Sequence, residues 1–491
     1  MPPEDSIRQR LEKAEQENAE LKRSLYELSM RLSAALARPS ANADAPAAER
    51  SAGERAVDES HAIAAATAMA ASSRGDGSPS SRSGHHKRGN GGDGGNGRGF
   101  EPLFDLNGHS GAVYAVRFSP TGRLLASGSF DHTTRLWSRG GEPVATLRGH
   151  SHSVTDLCFS ADSAAVLSGS FDHTARLWDV GRSQCVSCFD VGGALVLSVA
   201  CRGDLCWAAT SSGALLQYDR RRRGEQPCLS VQNESLLQAV ASASDEEVLT
   251  GDRNGLLKAW DVRTGRCSRQ QRVDDSGGPA RPISHLEVSP EAWRGHDGAR
   301  QRLLAANSYD DTVRILAVPA AGGAAEGEAG GAAGGAAGGA AAAARRDGGG
   351  AGGEGRRRWR RLCELRGHRN RAWPIRCSFS VGEACARMQS DADDPLDSPA
   401  RPLAHETALV ATGSADGRAY LYSLSSGAGG GYAQRRLNGD GSTSGGGVSH
   451  ELVQVLDGHA DRVYATSFHP HEPLLATCSA DFVVKVWRGP G

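Results

Sequence analysis

No run of apolar residues in the 491-residue chain approaches the roughly 20 that a bilayer-spanning helix needs. Neither sign of charge dominates, with 56 Lys and Arg against 57 Asp and Glu, so the overall composition does not favour nucleic acid or a membrane surface as partner. A secretory signal peptide is also missing from the N-terminal region. We therefore expect an intracellular protein, cytoplasmic or nuclear.

The 11 cysteines lack the spacing of a disulfide framework, and their odd number favours free thiols. Cys185 and Cys188 form a C-x-x-C pair, but no second pair or histidine cluster accompanies it, so we interpret it as chance. Phosphate-cradling loops, serine nucleophile elbows and metal-ligand clusters are missing as well. The sequence predicts no catalytic residue, no metal and no cofactor.

Glycine is abundant, with 63 residues concentrated alongside Ala and Ser in segments that cannot bury enough apolar surface to fold. Residues 39–100 are predicted to be a disordered linker. Low-complexity insertions are predicted at about 319–358, 381–405 and 425–448. These insertions should leave a folded body as loops.

The N-terminal segment predicts a helix from about Ile7 to Arg38, begun by Ser6 and ended by Pro39. Its apolar residues occupy heptad positions a and d, and Asn18 is the polar residue at an a position. Residues 1–38 therefore favour a coiled coil, forming a homodimer or a heterodimer with another coiled-coil protein. The alternative is an amphipathic helix docked on the chain's own surface.

The remainder of the chain repeats itself. The segment from Gly108-His109 to Trp137 returns at an offset of 41 residues as Gly149-His150 to Trp178. The same frame recurs seven times, with turn positions at Asp131, Asp172, Ser212, Asn254, Asp310, Asp416 and Asp481. With the three insertions removed, the intervals of 106 and 65 residues between the last three turn positions also shorten to 41 residues. Seven similar units are therefore expected over residues 101–491.

With its Gly-His openings and Trp-Asp closings, this region resembles WD-repeat (WD40) proteins. The resemblance implies an all-β fold, a seven-bladed β-propeller with four strands in each blade. The segment EPLFDL at 101–106 precedes the first Gly-His, whereas only RGPG follows Trp487. We therefore expect this N-terminal strand to close the last blade, which removes open sheet edges.

The resemblance also implies a hydrogen-bonded tetrad of His, Ser or Thr, Asp and Trp in each complete unit. Three complete sets are present: His109, Ser127, Asp131 and Trp137; His150, Ser168, Asp172 and Trp178; His459, Thr477, Asp481 and Trp487. A fourth set has Tyr in place of Trp and comprises His368, Thr412, Asp416 and Tyr422. The third, fourth and fifth units lack the His, so we expect those blades to be held mainly by packing.

In proteins of this kind, partners dock on the top face around the central channel. The corresponding positions carry six large aromatic residues, predicted here to bind partners: Tyr114, Phe130, Phe171, Tyr309, Trp373 and Tyr464. Two of the six are expected to be packing residues instead. The predicted function is a non-enzymatic scaffold for peptides or proteins.

Finer resemblances leave three hypotheses. The second half resembles the WD-repeat subunit of trithorax-type histone methyltransferase complexes, which implies a chromatin-modifying complex and an arginine held between channel aromatics, although Arg376 stands at one such apolar position. Trp260, Asp261 and Arg263 resemble the box by which substrate receptors attach to cullin-4 type ubiquitin ligases. Basic runs at 220–223 and 356–361, the latter around Trp359, indicate nucleic-acid association, with solvated loops as the preferred interpretation.

Overall fold

The computed structural model describes residues 99–222, 226–274, 278–279, 281–290, 292–294, 300–318, 358–370, 373–381, 385, 407–425 and 448–490. The predicted coiled coil at 1–38 lies outside these residues, as does the predicted linker apart from Gly99 and Phe100. Nearly all of the three predicted insertions lies outside them too.

The described residues form seven antiparallel sheets. The first strand, β1 (Glu101–Leu106), belongs to the last blade, and blades 1 to 4 have four strands each. Blade 1 contains β2 (Val113–Phe118), β3 (Leu124–Ser129), β4 (Thr134–Ser138) and β5 (Pro143–Leu147), and blade 2 contains β6 (Val154–Phe159), β7 (Ala165–Ser170), β8 (Thr174–Asp179) and β9 (Gln184–Asp190). Blade 3 contains β10 (Val196–Arg202), β11 (Leu205–Thr210), β12 (Ala214–Asp219) and β13 (Leu229–Gln232), and blade 4 contains β14 (Leu237–Ser242), β15 (Glu247–Asp252), β16 (Leu256–Asp261) and β17 (Cys267–Arg272).

The last three blades complete the ring. Blade 5 contains β18 (Ile283–Val288), β19 (Trp293–Arg294), β20 (Arg300–Ser308), β21 (Thr312–Val318) and β22 (Arg360–Arg366). Blade 6 contains β23 (Cys377–Val381), β24 (Thr407–Thr412), β25 (Arg418–Ser425) and β26 (Ser449–Asp457). Blade 7 contains β27 (Val463–Phe468), β28 (Leu474–Ser479), β29 (Val484–Arg488) and the N-terminal strand β1 (Glu101–Leu106). Short β19 pairs only with β20, as a fifth strand of blade 5. The predicted all-β, seven-bladed propeller is confirmed.

The N-terminal strand closes the last blade, as predicted. β1 pairs antiparallel with β29, and the sheet runs β1, β29, β28, β27. The Lys485 ammonium lies 2.7 Å from the Asp105 carboxylate across this pair. Gln454 of blade 6 holds the chain just before β1, because its side chain accepts from Phe100 N at 2.7 Å and donates to Phe100 O at 2.9 Å.

Neighbouring blades pack through glycines in their second strands. A Cβ on Gly128 would lie 2.7 Å from the Val154 side chain of the next blade, and one on Gly169 would lie 2.5 Å from Val196. Each glycine therefore leaves the space that a β-branched residue of the following inner strand fills. Repetition of this contact explains why the Ser-Gly-Ser segments recur in the sequence.

The turn between the second and third strands contains a left-handed residue in every blade. Glycine takes this conformation in three blades, at Gly213, Gly255 and Gly417, whereas four blades place His132, His173, Asp311 and Phe482 there. These turns share one end of the ring with the connections into each inner strand, and we call this end the top face. Among the described residues, no helix is long and apolar enough to cross a membrane.

Candidate partner-binding face

Three hydrogen-bonded tetrads fix the top turns, as predicted. In blade 1, Trp137 Nε1 donates to Ser127 Oγ at 2.8 Å, His109 Nε2 lies 2.8 Å from the same oxygen, and His109 Nδ1 lies 2.8 Å from Asp131 Oδ2. Because a carboxylate can only accept, His109 donates through Nδ1 and Ser127 donates to Nε2. Asp131 also accepts from Ser110 N, which ties the turn to the entry of the inner strand.

Blades 2 and 7 repeat the arrangement. His150 contacts Asp172 at 2.8 Å and Ser168 at 2.7 Å, and His459 contacts Asp481 and Thr477 at 2.8 Å each. Burial raises the pKa of Asp172, but hydrogen bonds from His150, Thr174 and Ser151 outweigh it and hold that pKa well below its usual range. The turn carboxylates therefore stay ionised at neutral pH and keep the top turns in place.

The tetrad predicted for blade 6 is not formed, which corrects the sequence expectation. Tyr422 Oη donates instead to Arg366 O at 2.9 Å, and Asp416 accepts from Tyr420 Oη at 2.7 Å. Both ring nitrogens of His368 are buried without a hydrogen-bond partner among the described residues. Burial lowers the pKa of His368 to about 4, even with Asp311, Asp310 and Asp416 nearby. The longer phenol does not place its donor where an indole N–H would stand.

The blades without the histidine carry buried polar contacts in addition to the packing expected for them. In blade 4, Trp260 Nε1 donates to Thr250 Oγ1 at 2.8 Å. In blade 3, Trp207 Nε1 donates to Gln217 Oε1 at 2.9 Å. In blade 5, Arg314 pairs with Asp310 at 2.6 Å. Blades 3, 4 and 5 therefore keep buried hydrogen bonds or ion pairs in place of the complete tetrad, made in part by other residues.

The six predicted aromatics differ in exposure. Three are buried, namely Tyr114 at 3%, Phe171 at 6% and Tyr464 at 0% relative exposure, whereas Phe130, Tyr309 and Trp373 are half-buried. Five of them join one apolar cluster at the seam of blades 1, 2, 6 and 7, and Tyr309 of blade 5 is not part of it. Three of the six aromatics are therefore packing residues, whereas two were expected, because neighbouring blades cover them.

Within this cluster the rings stack edge to face. The Tyr114 and Tyr464 ring centroids lie 5.1 Å apart, and those of Tyr464 and Trp373 lie 6.2 Å apart. Three half-buried residues that the sequence reasoning did not select pack on the same layer: Leu195, Leu197 and Phe482. Phe482 could have been recognised, because it follows the turn Asp481 where the other repeats carry Gly, His or Asp. We call Phe130, Leu195, Leu197, Trp373 and Phe482 the mouth patch.

A guanidinium of the chain itself covers the face of Trp373. The Arg462 Cζ lies 4.3 Å from the centroid of the Trp373 ring, within the range of a cation–π contact. Arg462 also lies 3.8 Å from Asp461, its nearest acidic neighbour in sequence. The position at which an aromatic could hold an incoming arginine is therefore already taken by this side chain.

Ion pairs span the central channel below the mouth. Arg376 is buried and pairs with Asp156, and its Nη2 donates to Thr155 O at 3.0 Å. A second pair joins blades 1 and 5, where Arg117 donates to both carboxylate oxygens of Glu287 at 2.9 and 2.7 Å. Both pairs join blades on opposite sides of the ring, so the channel is crossed by charge-assisted hydrogen bonds. Arg376 is thereby explained as a structural residue.

The predicted adaptor box lies at the opposite end of the ring, in the turn after the third strand of blade 4. Trp260 is buried, and the Asp261 carboxylate accepts from Arg263 N at 3.0 Å and Thr264 N at 2.7 Å. The Arg263 side chain is exposed. Of the three predicted residues, only Trp260 is enclosed in the core, whereas Asp261 is half-buried and shapes the turn that presents the exposed Arg263.

The structure removes the stacking surface expected for nucleic acid. Trp359 is buried in the core between blades 4 and 5, with the Arg269 guanidinium 5.0 Å from its ring. In the other basic run, Arg220 pairs with Asp162 at 2.8 Å and with Asp204 at 2.9 Å. Arg221 likewise pairs with Asp219 at 2.9 Å, so these two charges are neutralised within the chain, which favours the interpretation of this run as a surface loop.

Two surface cavities stand away from the mouth. One of about 630 Å³ is lined by charged residues of blade 5, including Asp310 and Arg314. The other, of about 520 Å³, lies at the closing strand beside Phe104 and Leu474. No group of His, Cys, Asp and Glu in the described part of the chain is arranged to hold a metal ion.

Three segments match the model of the WD domain, G-beta repeat: residues 100–138, 141–179 and 450–488. These are the three units whose tetrads are complete. Among curated proteins, 38 residues are 51% identical to the probable cytosolic iron-sulfur protein assembly protein 1 of Yarrowia lipolytica, covering 8% of this chain and 11% of that protein. A stretch of 40 residues is 42% identical to the probable cytosolic iron-sulfur protein assembly protein Ciao1 of Culex quinquefasciatus, covering 8% of this chain and 12% of that protein.

The chain therefore spans about a tenth of the length of the curated relatives it matches. Among solved structures, the β-propeller domain of Cps50 (Swd1) from Myceliophteria thermophila is similar with a TM-score of 0.52 at 17% identity, over 79% of this chain and 99% of that one. At that identity the likeness concerns the fold alone. Repeat matches and ring geometry agree that this chain carries WD40 repeats, built into a seven-bladed β-propeller.

Proposed function

We propose that the chain is a non-enzymatic scaffold that binds a peptide or protein partner at the mouth patch. The observation that carries this proposal is a half-buried apolar surface at the channel mouth, resting on a fully buried aromatic layer. Aromatic side chains held rigidly over such a layer lose little entropy on binding, and binding energy concentrates in residues of this kind.

The predicted binding residues divide into two roles in this proposal. Phe130 and Trp373 contact the partner, and Tyr309 does so from the far side of the channel. The buried Tyr114, Phe171 and Tyr464 support the patch from below. Because these three are enclosed by neighbouring blades, their contribution is to hold the exposed rings in position.

The charges at the mouth bear on what the partner presents. A guest arginine would have to displace the Arg462 guanidinium from the face of Trp373, so like-charge repulsion from Arg462 opposes it. We therefore propose that the partner inserts apolar side chains rather than an arginine. Membership of a chromatin-modifying complex remains a proposal that rests on the sequence resemblance of the second half. Dimerisation through residues 7–38 likewise rests on the heptad pattern.

The test is affinity purification with the full chain and with a Phe130→Ala/Trp373→Ala variant, followed by mass spectrometry and binding of the purified partner. We expect the variant to lose at least about tenfold in affinity, since each truncated anchor costs about 1–2 kcal/mol. The matched control is Val186→Ala/Val453→Ala, at exposed positions on outer strands. Equal capture by both variants, at unchanged melting temperature, would reject the mouth patch as the binding surface.

A second candidate function is that of a substrate receptor attached to a cullin-4 type ubiquitin ligase. The exposed Arg263 side chain, presented by a turn that Asp261 holds in place, favours it. Arg263→Ala in the same purification discriminates the two. Loss of ligase components with Arg263→Ala alone would support this function, and their absence from the parent protein's partners would exclude it.

A further inference from the structure

Three thiols meet where blade 2 packs on blade 3. Cys158 lies on the inner strand β6 of blade 2, and Cys201 lies on the inner strand β10 of blade 3, with 3.1 Å between their sulfur atoms. Cys206 on β11 stands directly opposite Cys201, at 3.5 Å. Cys158 and Cys201 are half-buried, whereas Cys206 is buried. The cluster lies outside the mouth patch and has no part in the proposed function.

The only C-x-x-C of the sequence does not offer a comparable pair. Cys185 and Cys188 lie on the single strand β9. Residues three apart on a strand point to opposite faces of the sheet and stand about 10 Å apart, so their sulfurs cannot bond without disrupting β9. The reactive pair is formed by residues 43 positions apart that only the ring brings together.

We propose that Cys158 and Cys201 are a redox modification site, at which a peroxide converts the two thiols into a disulfide that joins blades 2 and 3. A disulfide is about 2.05 Å long, so the sulfurs need to approach by only about 1 Å. The inner strands of the two blades pack together but belong to separate hydrogen-bonded sheets. The new bond would therefore be a covalent link across an interface that packing otherwise holds.

The surroundings assign the two thiols different roles. Burial raises the pKa of Cys158, but a hydrogen bond with Cys201 and the charge of Arg117 act against that rise. The contacts with Cys158 and Cys206 raise the pKa of Cys201 well above its usual value. The pKa of both thiols is therefore raised, so the reaction is expected to need alkaline pH. We assign the first attack to Cys158, which has one thiol contact and the Arg117 charge nearby, and the resolving step to Cys201, which lies between the other two thiols.

The reaction balances with hydrogen peroxide as the oxidant. The Cys158 thiolate attacks one peroxide oxygen, the O–O bond breaks, and hydroxide leaves to give a sulfenic acid. The Cys201 sulfur then attacks the Cys158 sulfur, the S–S bond forms and the S–O bond breaks. The leaving hydroxyl departs as water with the Cys201 proton. In total, two thiols and one peroxide give one disulfide and two waters.

The test uses the full chain, reduced, freed of reductant, oxidised with hydrogen peroxide at mildly alkaline pH, and alkylated with N-ethylmaleimide. Trypsin places the three cysteines on separate peptides, residues 149–176, 183–202 and 203–220. We expect a cross-link between the first two peptides, assigned by fragmentation to Cys201 rather than Cys185 or Cys188. We also expect a melting temperature higher by several degrees, which reductant reverses.

Two variants complete the experiment. Cys201→Ser should remove the cross-link to peptide 149–176, and the matched Cys206→Ser should retain it. A cross-link joining peptides 183–202 and 203–220, or a Cys158 that stays fully alkylated after peroxide treatment of the wild-type chain, would overturn the proposal. Because the wild-type result decides on its own, an unfolded variant does not obscure the outcome.

Discussion

His109 and His368 occupy the same position in two repeats, and the structure predicts opposite results when each is replaced by Leu. His109 makes hydrogen bonds to Asp131 and Ser127, so His109→Leu removes two buried bonds, one of them to a carboxylate. We expect this change to cost about 3 kcal/mol. The nitrogens of His368 lack partners among the described residues, so His368→Leu removes an unsatisfied polar group and should gain about 1 kcal/mol.

The pH dependence sharpens this contrast. The pKa of His368 is about 4 in the folded protein because burial disfavours its charged form, against 6.5 for an unperturbed histidine. As the pH falls below about 6.5, the unfolded chain takes up the proton first, and the folded state loses stability until about pH 4. The total loss is about 3 kcal/mol. The His368→Leu variant should lack this loss, so its advantage over the wild type should widen on acidification.

Thermal unfolding followed by tryptophan fluorescence measures both variants. For a body of this size, each kcal/mol shifts the melting temperature by about 2 °C, so His109→Leu should melt about 6 °C lower and His368→Leu about 2 °C higher at neutral pH. Ser127→Ala serves as a control, because it breaks the same tetrad from its centre. A His368→Leu variant that loses as much stability as His109→Leu would show that the blade 6 tetrad closes in solution, and the reasoning would be refuted.

Two further predictions concern the closing strand and the turns. Gln454→Ala should lower the free energy of unfolding by about 2 kcal/mol and speed proteolysis near Phe100, because it removes both hydrogen bonds that hold the chain before β1. Gln232→Ala, on the outer strand of blade 3, is the control. Equal protection of the two variants against proteolysis would contradict this role of Gln454. Ser183 and Gly193 both have a left-handed backbone conformation, which glycine adopts with less strain than other residues. Ser183→Gly, at an exposed position, should therefore stabilise the fold by about 1 kcal/mol, and Gly193→Ala should destabilise it by a similar amount. Denaturant midpoints that move in the same direction for both variants would contradict this account of the turns.

Much of the architecture could be read from the sequence because it is local and repeated. The seven turn positions fixed the number of blades, and the segment at 101–106 indicated the closing strand. Three tetrads followed from residues within a single repeat. Each of these features depends on short-range spacing, and the sequence displays such spacing directly.

The remaining features depend on residues from distant repeats. Tyr114 and Tyr464 are buried because the first and last blades pack together, a contact between residues 350 positions apart. Arg376 pairs with Asp156 only once the ring has closed. The blade 6 tetrad failed because a phenol oxygen extends beyond the site of an indole nitrogen, a difference of shape that residue spacing does not reveal.

The closing strand has a consequence for how the molecule is made. Asp105 and Lys485, which meet in the last sheet, are 380 positions apart, so β1 finds its partner only after the last repeat has been synthesised. An open array of repeats tolerates shortening from one end. Here, a stop codon anywhere before Val484 would deprive β1 of its partner strand and leave two blades facing a gap, so a shortened chain could not close the ring.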